Sequence, residues 1–181
     1  MPETFKTVLE SEVLLSELML PSNSNFRGNI HGGYVLSLMD KIAFACASKH
    51  SKHYCVTASV DTVDFLNPIG IGELLTMKAC INYVGKSSMV VGIRVESENI
   101  QTGEKKHCNS SYFTMVAKDE EGKSAVVPGL TLSTNQEKRR FVKALRRLEM
   151  RKAKSDELTA ANFDAHKYDE ELKKHNVKLI D

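Results

Sequence analysis

The sequence has no run of 18 apolar residues, so no segment is long enough to form a transmembrane helix. Its start, Met-Pro-Glu-Thr-Phe-Lys, lacks the basic residues and the apolar stretch of a secretory signal peptide. Repeats and low-complexity tracts are also missing. The four cysteines form no Cys-x-x-Cys pair, which argues against a metal site and a disulfide framework: Cys46, Cys55, Cys80 and Cys108. These absences predict a cytoplasmic protein with reduced core thiols.

What is present describes a globular protein with an appendage. Hydrophobic residues make up 41% and charged residues 27% of the 181 positions, which is enough to bury a core without disulfides or metal. Residues 1–132 carry 12 basic and 14 acidic side chains, whereas residues 133–181 carry 13 basic and 9 acidic ones. The difference predicts a folded domain over 1–132 and a basic helical extension over 133–181.

The hydrophobic pattern predicts one helix and about five strands. Residues 33–48 are almost wholly apolar, which predicts a helix buried on most sides. A first strand is expected within residues 9–20. Four segments follow with period-2 alternation or Val and Thr enrichment: 55–65, 73–84, 88–97 and 107–117. Short turns between them predict an antiparallel sheet with one covered face. The expected fold is α+β, a long helix wrapped by a curved sheet.

The run from Asn25 to Asp40 reads Asn-Phe-Arg-Gly-Asn-Ile-His-Gly-Gly-Tyr-Val-Leu-Ser-Leu-Met-Asp. Glycines before a helix allow close backbone approach, and the helix start offers free N–H donors. The positive end of the helix dipole favours negative charge there. Such donors, with an acid nearby in an apolar setting, suit acyl transfer.

The same run resembles the signature of hotdog-fold acyl-CoA thioesterases. Two later blocks resemble further parts of that family, in its order and spacing: Val60–Phe65 with Asn67–Gly72, and Val84–Met89. The resemblance covers about residues 8–130 and is closest to the cytosolic acyl-CoA hydrolase branch. It implies a hotdog fold, an acyl-CoA substrate, and no metal or redox cofactor. Because the chain has one hotdog unit, it implies a homo-oligomer of at least a dimer, and most readily three dimers in a hexamer.

The resemblance also assigns roles to individual residues. Asp40 would activate water or attack the thioester, and Asn25 would orient the water or the carbonyl from the other subunit of a dimer. The Gly33 N–H is the candidate oxyanion donor, with Gly32 beside it. Each has a structural alternative. Asp40 could pair with a lysine on the helix surface, Asn25 could be a turn residue, and the glycines could serve close packing.

His31 is expected to line the site or to pack at the turn without acting as a base. The segment Gly85, Lys86, Ser87 and Ser88 offers backbone donors, two hydroxyls and a cation, which suit the pantetheine and phosphates of coenzyme A. An ordinary hairpin turn with a solvated lysine is the alternative reading.

The extension contains its own signals. Thr134 to Glu137 fits a capping box, and Phe141, Leu145 and Leu148 recur at helical spacing. Nine basic residues follow each other closely: Lys138, Arg139, Arg140, Lys143, Arg146, Arg147, Arg151, Lys152 and Lys154. A solvated face is the first interpretation and contact with the phosphates of coenzyme A the second. Neither a nucleic-acid nor a membrane partner is expected.

Two rival functions stay open at this point. One is a non-catalytic acyl-CoA sensor whose basic tail contacts nucleic acid. The other is a hotdog dehydratase acting on a 3-hydroxyacyl thioester, which would use a histidine and an acid from the partner subunit. The Asn25 and Asp40 pair favours hydrolysis over sensing. His31 lacks the Pro-Gly pattern that follows the histidine of the dehydratases.

Overall fold

The computed structural model describes residues 4–160, 168–172 and 174–177. The chain divides into two compact units, residues 1–144 and residues 145–181. The first unit contains a five-stranded antiparallel sheet in the spatial order β2-β4-β5-β6-β3. Its strands are β2 (Val13–Leu18), β3 (Tyr54–Val60), β4 (Glu73–Val84), β5 (Ser88–Asn99) and β6 (Lys105–Lys118). Strands β2 and β3 therefore form the two edges.

One long helix, α2 (Gly32–Ser51), lies against the inner face of this sheet. Alternate residues of the two long central strands supply the core, as the period of 2 predicts: Leu75, Met77, Ala79 and Ile81 from β4, and Met89, Val91, Ile93 and Val95 from β5. The helix contributes Val35, Met39, Ile42, Ala43 and Cys46 to the same core. The arrangement confirms the expected α+β hotdog fold.

Helix α2 is less enclosed than its composition predicts. Five of its six exposed residues recur at helical spacing and form one stripe: Gly33, Ser37, Asp40, Lys41 and Phe44. The expectation that this helix is buried on most sides, with Asp40 inside, is therefore wrong for the single chain. A sheet of five strands covers one side of a helix, and the opposite side needs a different cover.

The N-terminal region also departs from the single strand predicted over residues 9–20. Its first part forms the short helix α1 (Val8–Ser11), and only the second part forms strand β2. Thr7 and Glu10 make a capping box at the start of α1. The preceding strand, β1 (Phe5–Thr7), pairs in parallel with β7 (Gly129–Thr131), and this second sheet was not predicted.

The predicted helix of the extension is α3 (Asn135–Ala160), and the short helix α4 (Asp169–Leu172) follows it. The capping box is confirmed, because the Glu137 N–H donates to Thr134 Oγ1 at 3.2 Å and the Thr134 N–H donates to Glu137 Oε2 at 2.8 Å. Within the first unit, the ring of Phe141 lies 5.1 Å from that of Tyr83. Parts of the polar segment 155–181 lie outside the described residues, and the domain boundary after residue 132 stays a prediction.

All four cysteines are free and buried, which confirms their interpretation as core thiols. Burial raises the pKa of the thiols of Cys46, Cys80 and Cys108, so these groups are poor nucleophiles at neutral pH. Among the described helices, none is long and apolar enough to cross a membrane.

Candidate active site

Asp40 stands on the exposed stripe of α2, and its partner comes from the edge strand β3. The Thr57 hydroxyl donates to Asp40 Oδ1 over 2.6 Å. It also lies 3.5 Å from Met115 Sδ on strand β6. Asp40 forms no ion pair within the described part of the chain, so pairing with a helix lysine does not explain it. The carboxylate is thus oriented by one hydroxyl while its second oxygen stays available.

An open cleft of about 380 Å³ surrounds this pair between α2 and β3. Its walls are Asp40, Lys41, Phe44, Tyr54, Cys55, Val56 and Thr57. The rings of Phe44 and Tyr54 lie 5.7 Å apart at one side of the cleft, and both side chains are exposed, Tyr54 by 64%. Because β3 is an edge strand, its outer backbone groups face away from the sheet.

Asn25 begins a tight loop that returns to the start of α2. Its N–H donates to the carbonyl of Asn29 at 2.7 Å, and Gly28, with a φ of 77°, allows the reversal. The Asn25 Oδ1 accepts the N–H groups of Arg27 at 2.9 Å and Asn29 at 3.3 Å. Two backbone donors thus occupy the carbonyl oxygen, whereas the side-chain Nδ2 has no hydrogen-bond partner among the described residues. The tip of the loop carries Phe26, which is fully exposed.

The start of α2 is capped by its own preceding residue. The Gly33 N–H donates to His31 Nδ1 at 3.1 Å, so His31 packs at the turn, one of the two expected places. The Gly33 amide is therefore already engaged in this structure. A Cβ at Gly32 would lie 3.2 Å from Phe65 Cζ, so close packing of the Phe65 ring explains this glycine as well.

The turn between β4 and β5 is the segment expected to contact coenzyme A. The Gly85 N–H donates to the Ser88 carbonyl at 2.7 Å. The carbonyls of Lys86 and Ser87 accept the N–H groups of Val127 at 3.0 Å and Ala117 at 2.9 Å. These bonds fix the backbone of the turn, and the Lys86 side chain is exposed to solvent.

Within one chain, the structure brings Asp40 and Thr57 together. Asp40 and Asn25 form no hydrogen bond with each other within the described residues. Sequence reasoning missed Thr57, although a signal was present. Thr57 lies two residues after Cys55, and in a strand such positions share a face, so a core thiol at 55 places the hydroxyl at 57 on the helix side. A bulge follows directly, since Thr57 pairs with Met115 but Ser59 pairs with Thr114. In the described residues, no group of three or more His, Cys, Asp or Glu side chains could hold a metal ion.

Comparison with known proteins gives consistent matches. The family model described as the thioesterase superfamily matches residues 27–104. Protein VdlD of Helicobacter pylori is 47% identical over 148 residues, which cover 82% of this chain and 84% of that protein. The uncharacterized acyl-CoA thioester hydrolase YkhA of Bacillus subtilis is 37% identical over 75% of this chain and 78% of its own length. The human cytosolic acyl coenzyme A thioester hydrolase is 34% identical, and the chain covers 40% of that longer protein.

Solved structures give the same picture. An apo-hexameric acyl-CoA thioesterase superposes with a TM-score of 0.82 at 39% identity, covering 84% of this chain and 97% of that one. An acyl-CoA hydrolase from Staphylococcus aureus, in complex with butyryl coenzyme A, coenzyme A and coenzyme A disulfide, has a TM-score of 0.79 at 35% identity, over 86% of this chain and 94% of that one. Variants of the same hydrolase with alanine in place of an aspartate, an asparagine or a threonine are also similar to this chain.

Proposed function

Because the chain belongs to the thioesterase superfamily and, within it, to the hotdog-fold acyl-CoA thioesterases, we propose that it hydrolyses acyl-CoA to a free carboxylic acid and coenzyme A. The observation that carries the proposal is the Asp40 carboxylate, oriented by the Thr57 hydroxyl beside an open cleft. Thioester hydrolysis needs a base, a water and a donor for the developing oxyanion. The exposed stripe of α2 and the neighbouring loops supply groups for each need.

In the proposed reaction, the free oxygen of Asp40 takes a proton from water as the water attacks the thioester carbonyl. The C–S bond of the tetrahedral intermediate then breaks, and the thiolate of coenzyme A receives that proton. Thr57 keeps the carboxylate aimed by its hydrogen bond to Oδ1. Direct attack by Asp40 is the alternative, with an anhydride that water opens in a second step. Both routes need the same orientation of the carboxylate.

Asn25 is proposed to act as a donor. Its Oδ1 is already occupied by two backbone N–H groups, so its Nδ2 is the group free to bind a carbonyl oxygen or a water. Among the described residues, Asn25 forms hydrogen bonds only within its own loop, so we assign it to the site of a neighbouring copy: Asn25 of the partner subunit would face Asp40. The residue types aspartate, asparagine and threonine, replaced by alanine in the Staphylococcus aureus hydrolase, match this set.

The Gly33 amide is proposed as a second donor for the oxyanion. Because His31 Nδ1 accepts this N–H in the structure, the proposal requires the imidazole to rotate away when the thioester carbonyl arrives. His31 is assigned as the cap of this amide in the free protein and not as a base. The dehydratase alternative stays disfavoured because His31 lacks the Pro-Gly pattern that follows the histidine of that family.

The turn at Gly85–Ser88 is proposed to bind coenzyme A. Its backbone is fixed by bonds to Ala117 and Val127, so the exposed Lys86 ammonium can meet a phosphate without reordering the turn. The coenzyme A complexes of the Staphylococcus aureus hydrolase support a coenzyme A thioester as substrate. The named cytosolic relative supports a cytoplasmic location.

Assembly completes the proposed site. The free edge of β3 and exposed apolar side chains near it call for a cover, which a second copy could give by pairing β3 with β3. We propose a dimer formed in this way and three such dimers in a hexamer, supported by the hexameric thioesterases of similar structure.

Release of free thiol from a panel of acyl-CoAs of increasing chain length tests the activity. Turnover of at least one member supports hydrolysis, and tight binding without turnover would support the sensor alternative. Co-refolding tests the shared site: Asn25→Ala and Asp40→Asn chains are each expected to keep only a small residual activity, yet one of the two sites in a mixed dimer has both residues intact. Partial recovery in verified mixed dimers supports sharing, and no recovery contradicts it.

A further inference from the structure

The Asn25 loop is attached to the rest of the first unit through a second loop, residues 67–72. Asn29 forms a β-bridge with Gly70, and the Ile30 N–H donates to the Ile69 carbonyl at 2.8 Å. Asn29 in turn exchanges two bonds with Asn25, one through each of its backbone groups. The backbone at Gly70 is therefore linked to the amide of Asn25 through the bridge to Asn29 and the adjoining Ile30–Ile69 hydrogen bond.

Gly70 itself is held by an ion pair. Its N–H donates to Glu73 Oε2 at 3.0 Å, while Lys106 Nζ donates to Glu73 Oε1 at 2.7 Å. The Glu73 side chain is 15% exposed and that of Lys106 31%, so this is the most enclosed ion pair among the described residues. Burial alone would raise the pKa of Glu73, but the bonds from Lys106 and Gly70 outweigh it and leave the pKa below its ordinary value.

We propose that Glu73 and Lys106 are positioning residues that set the place of Asn25 through Gly70 and Asn29. The inference rests on the proposed function, since it assigns the pair a purpose in the hydrolysis. Neither side chain touches the cleft at Asp40. The two carboxylate oxygens are divided between the sheet and the loop: one binds a lysine anchored on β6, and the other binds the loop backbone.

The protein contains a matched control for this arrangement. Lys105 Nζ lies 3.1 Å from Glu98 Oε2, so a second Lys–Glu pair is carried by β6 and β5 next to the first. Its lysine is 67% exposed, and neither partner bonds a loop that leads to the site. An exposed pair of this kind contributes little to stability. Both pairs join a lysine to a glutamate, but only the Glu73 carboxylate also accepts a hydrogen bond from a loop, through the Gly70 N–H.

Kinetics of five single variants test the proposal. Glu73→Gln and Lys106→Met should each lower kcat by about ten- to a hundredfold, because a small misplacement of an orienting group costs up to that much, with KM changed less than about twofold. Lys106→Arg should restore most of the parental kcat. Glu98→Gln and Lys105→Met should leave both constants unchanged. Equal losses from the two pairs, or an unchanged kcat for Glu73→Gln, would overturn the proposal.

A double-mutant comparison separates positioning from general structural support. If Glu73 acts through Asn25, adding Glu73→Gln to Asn25→Ala should cause no further loss of kcat. Multiplication of the two effects would contradict the pathway through Asn25. Lys106→Met added to Asn25→Ala provides the same test from the other side of the pair.

Hydrogen exchange gives a readout that does not depend on activity. In Glu73→Gln, the amides of Asn29, Ile30 and Gly70 should exchange faster by tenfold or more, while those of the core strands keep their parental rates. Exchange rates show whether Glu73 attaches the loop even if the parental protein hydrolyses no thioester. An absence of hydrolysis would contradict only the proposed function. Unchanged exchange at these three amides would refute the attachment itself.

Discussion

The two long helices of this protein show opposite uses of charge. Helix α2 has 20 residues with nine of them buried, and its exposed stripe carries one carboxylate. Helix α3 has 26 residues, and nine basic side chains lie between Lys138 and Lys154. The carboxylate on α2, Asp40, is held by the Thr57 hydroxyl at 2.6 Å, whereas the nine basic residues of α3 all occupy exposed positions.

The physical reason is orientation. A charge that a hydrogen bond holds beside a cleft acts on a reacting group from a fixed place, while charges surrounded by water are screened from one another and from their targets. The comparison therefore predicts that chemistry depends on where a charge is placed and not on how many charges a helix carries. Removing charges from each helix in turn shows whether the position of a charge or the number of charges determines the rate.

Neutralising one carboxylate on each helix should give the largest difference between the two helices. Asp40→Asn should lower kcat by about 10² to 10⁴, because it removes the ionisable group and keeps its shape. Glu149→Gln on α3, which removes the partner of Arg146 at 2.7 Å, should leave kcat unchanged. Thiol release at saturating acyl-CoA measures both. A parental rate for Asp40→Asn would end the assignment of Asp40 as base or nucleophile.

Two threonines allow a second test, Thr57 beside Asp40 and Thr134 at the start of α3. Thr57→Val should lower kcat by about ten- to a hundredfold, since it removes a hydrogen bond to a charged group, and Thr57→Ser should retain most of the rate. Thr134→Val removes the N-cap of α3 and should cost about 0.5–2 kcal/mol in helix stability without changing kcat. Rates and thermal unfolding of the three variants check this division. A loss of kcat in Thr134→Val would contradict it.

The sequence predicted the parts of the fold that depend on periodicity. The alternation in β4 and β5 and the apolar run of α2 are local patterns, and the structure confirms all three elements. Strands β1 and β7 were missed because each has three residues and they pair across more than 120 positions, so neither leaves a periodic signal. The prediction for residues 9–20 was incomplete because a capping box at Thr7 starts a one-turn helix inside an apolar stretch.

The site was predictable only in part. Asp40 could be singled out as a lone acid in an apolar helix, but its exposure could not, because which side of a helix a sheet leaves open depends on strand order. To predict that Thr57 lies in the site, one must know that Cys55 points inward and that a bulge follows Thr57. Glu73 accepts hydrogen bonds from Gly70, three residues before it, and from Lys106 on β6, and no spacing in the sequence indicates the pairing with Lys106.

The two units also differ in the burial of a histidine, since His50 in the first is buried and His175 in the second is exposed. His50 near the end of α2 is fully buried, with Nδ1 at 2.7 Å from Ser11 Oγ and Nε2 donating to the Pro128 carbonyl at 3.0 Å. Burial lowers its pKa, against the opposing effect of the Pro128 bond. The unfolded chain therefore binds a proton more readily, so stability is fully present above about pH 6.5 and falls as the pH drops through the lower native pKa.

Chemical denaturation from pH 5 to pH 8 measures this effect. His50→Gln should flatten the dependence of the free energy of unfolding on pH by up to about 1.4 kcal/mol per unit of pKa difference. His175→Gln, which changes an exposed histidine in the second unit, should leave the slope as it is. Equal slopes in the parental protein and in His50→Gln would show that another group governs acid stability.

The smallest expected effect concerns the basic residues of α3. A chain cut after Leu132 would lose the contact of Phe141 with Tyr83 and the buried Ala144, so it would mix lost packing with lost charge. Replacing Arg146, Arg147 and Arg151 by glutamine keeps the helix and removes three charges. We expect kcat to stay unchanged and KM for acyl-CoA to rise modestly, with a weaker dependence on salt than in the parental protein. Screening explains the salt dependence, because the Debye length falls from about 10 Å at 0.1 M to about 3 Å at 1 M. If this folded triple variant loses turnover at saturating substrate, the basic helix takes part in the chemistry, and placement alone no longer separates the two helices.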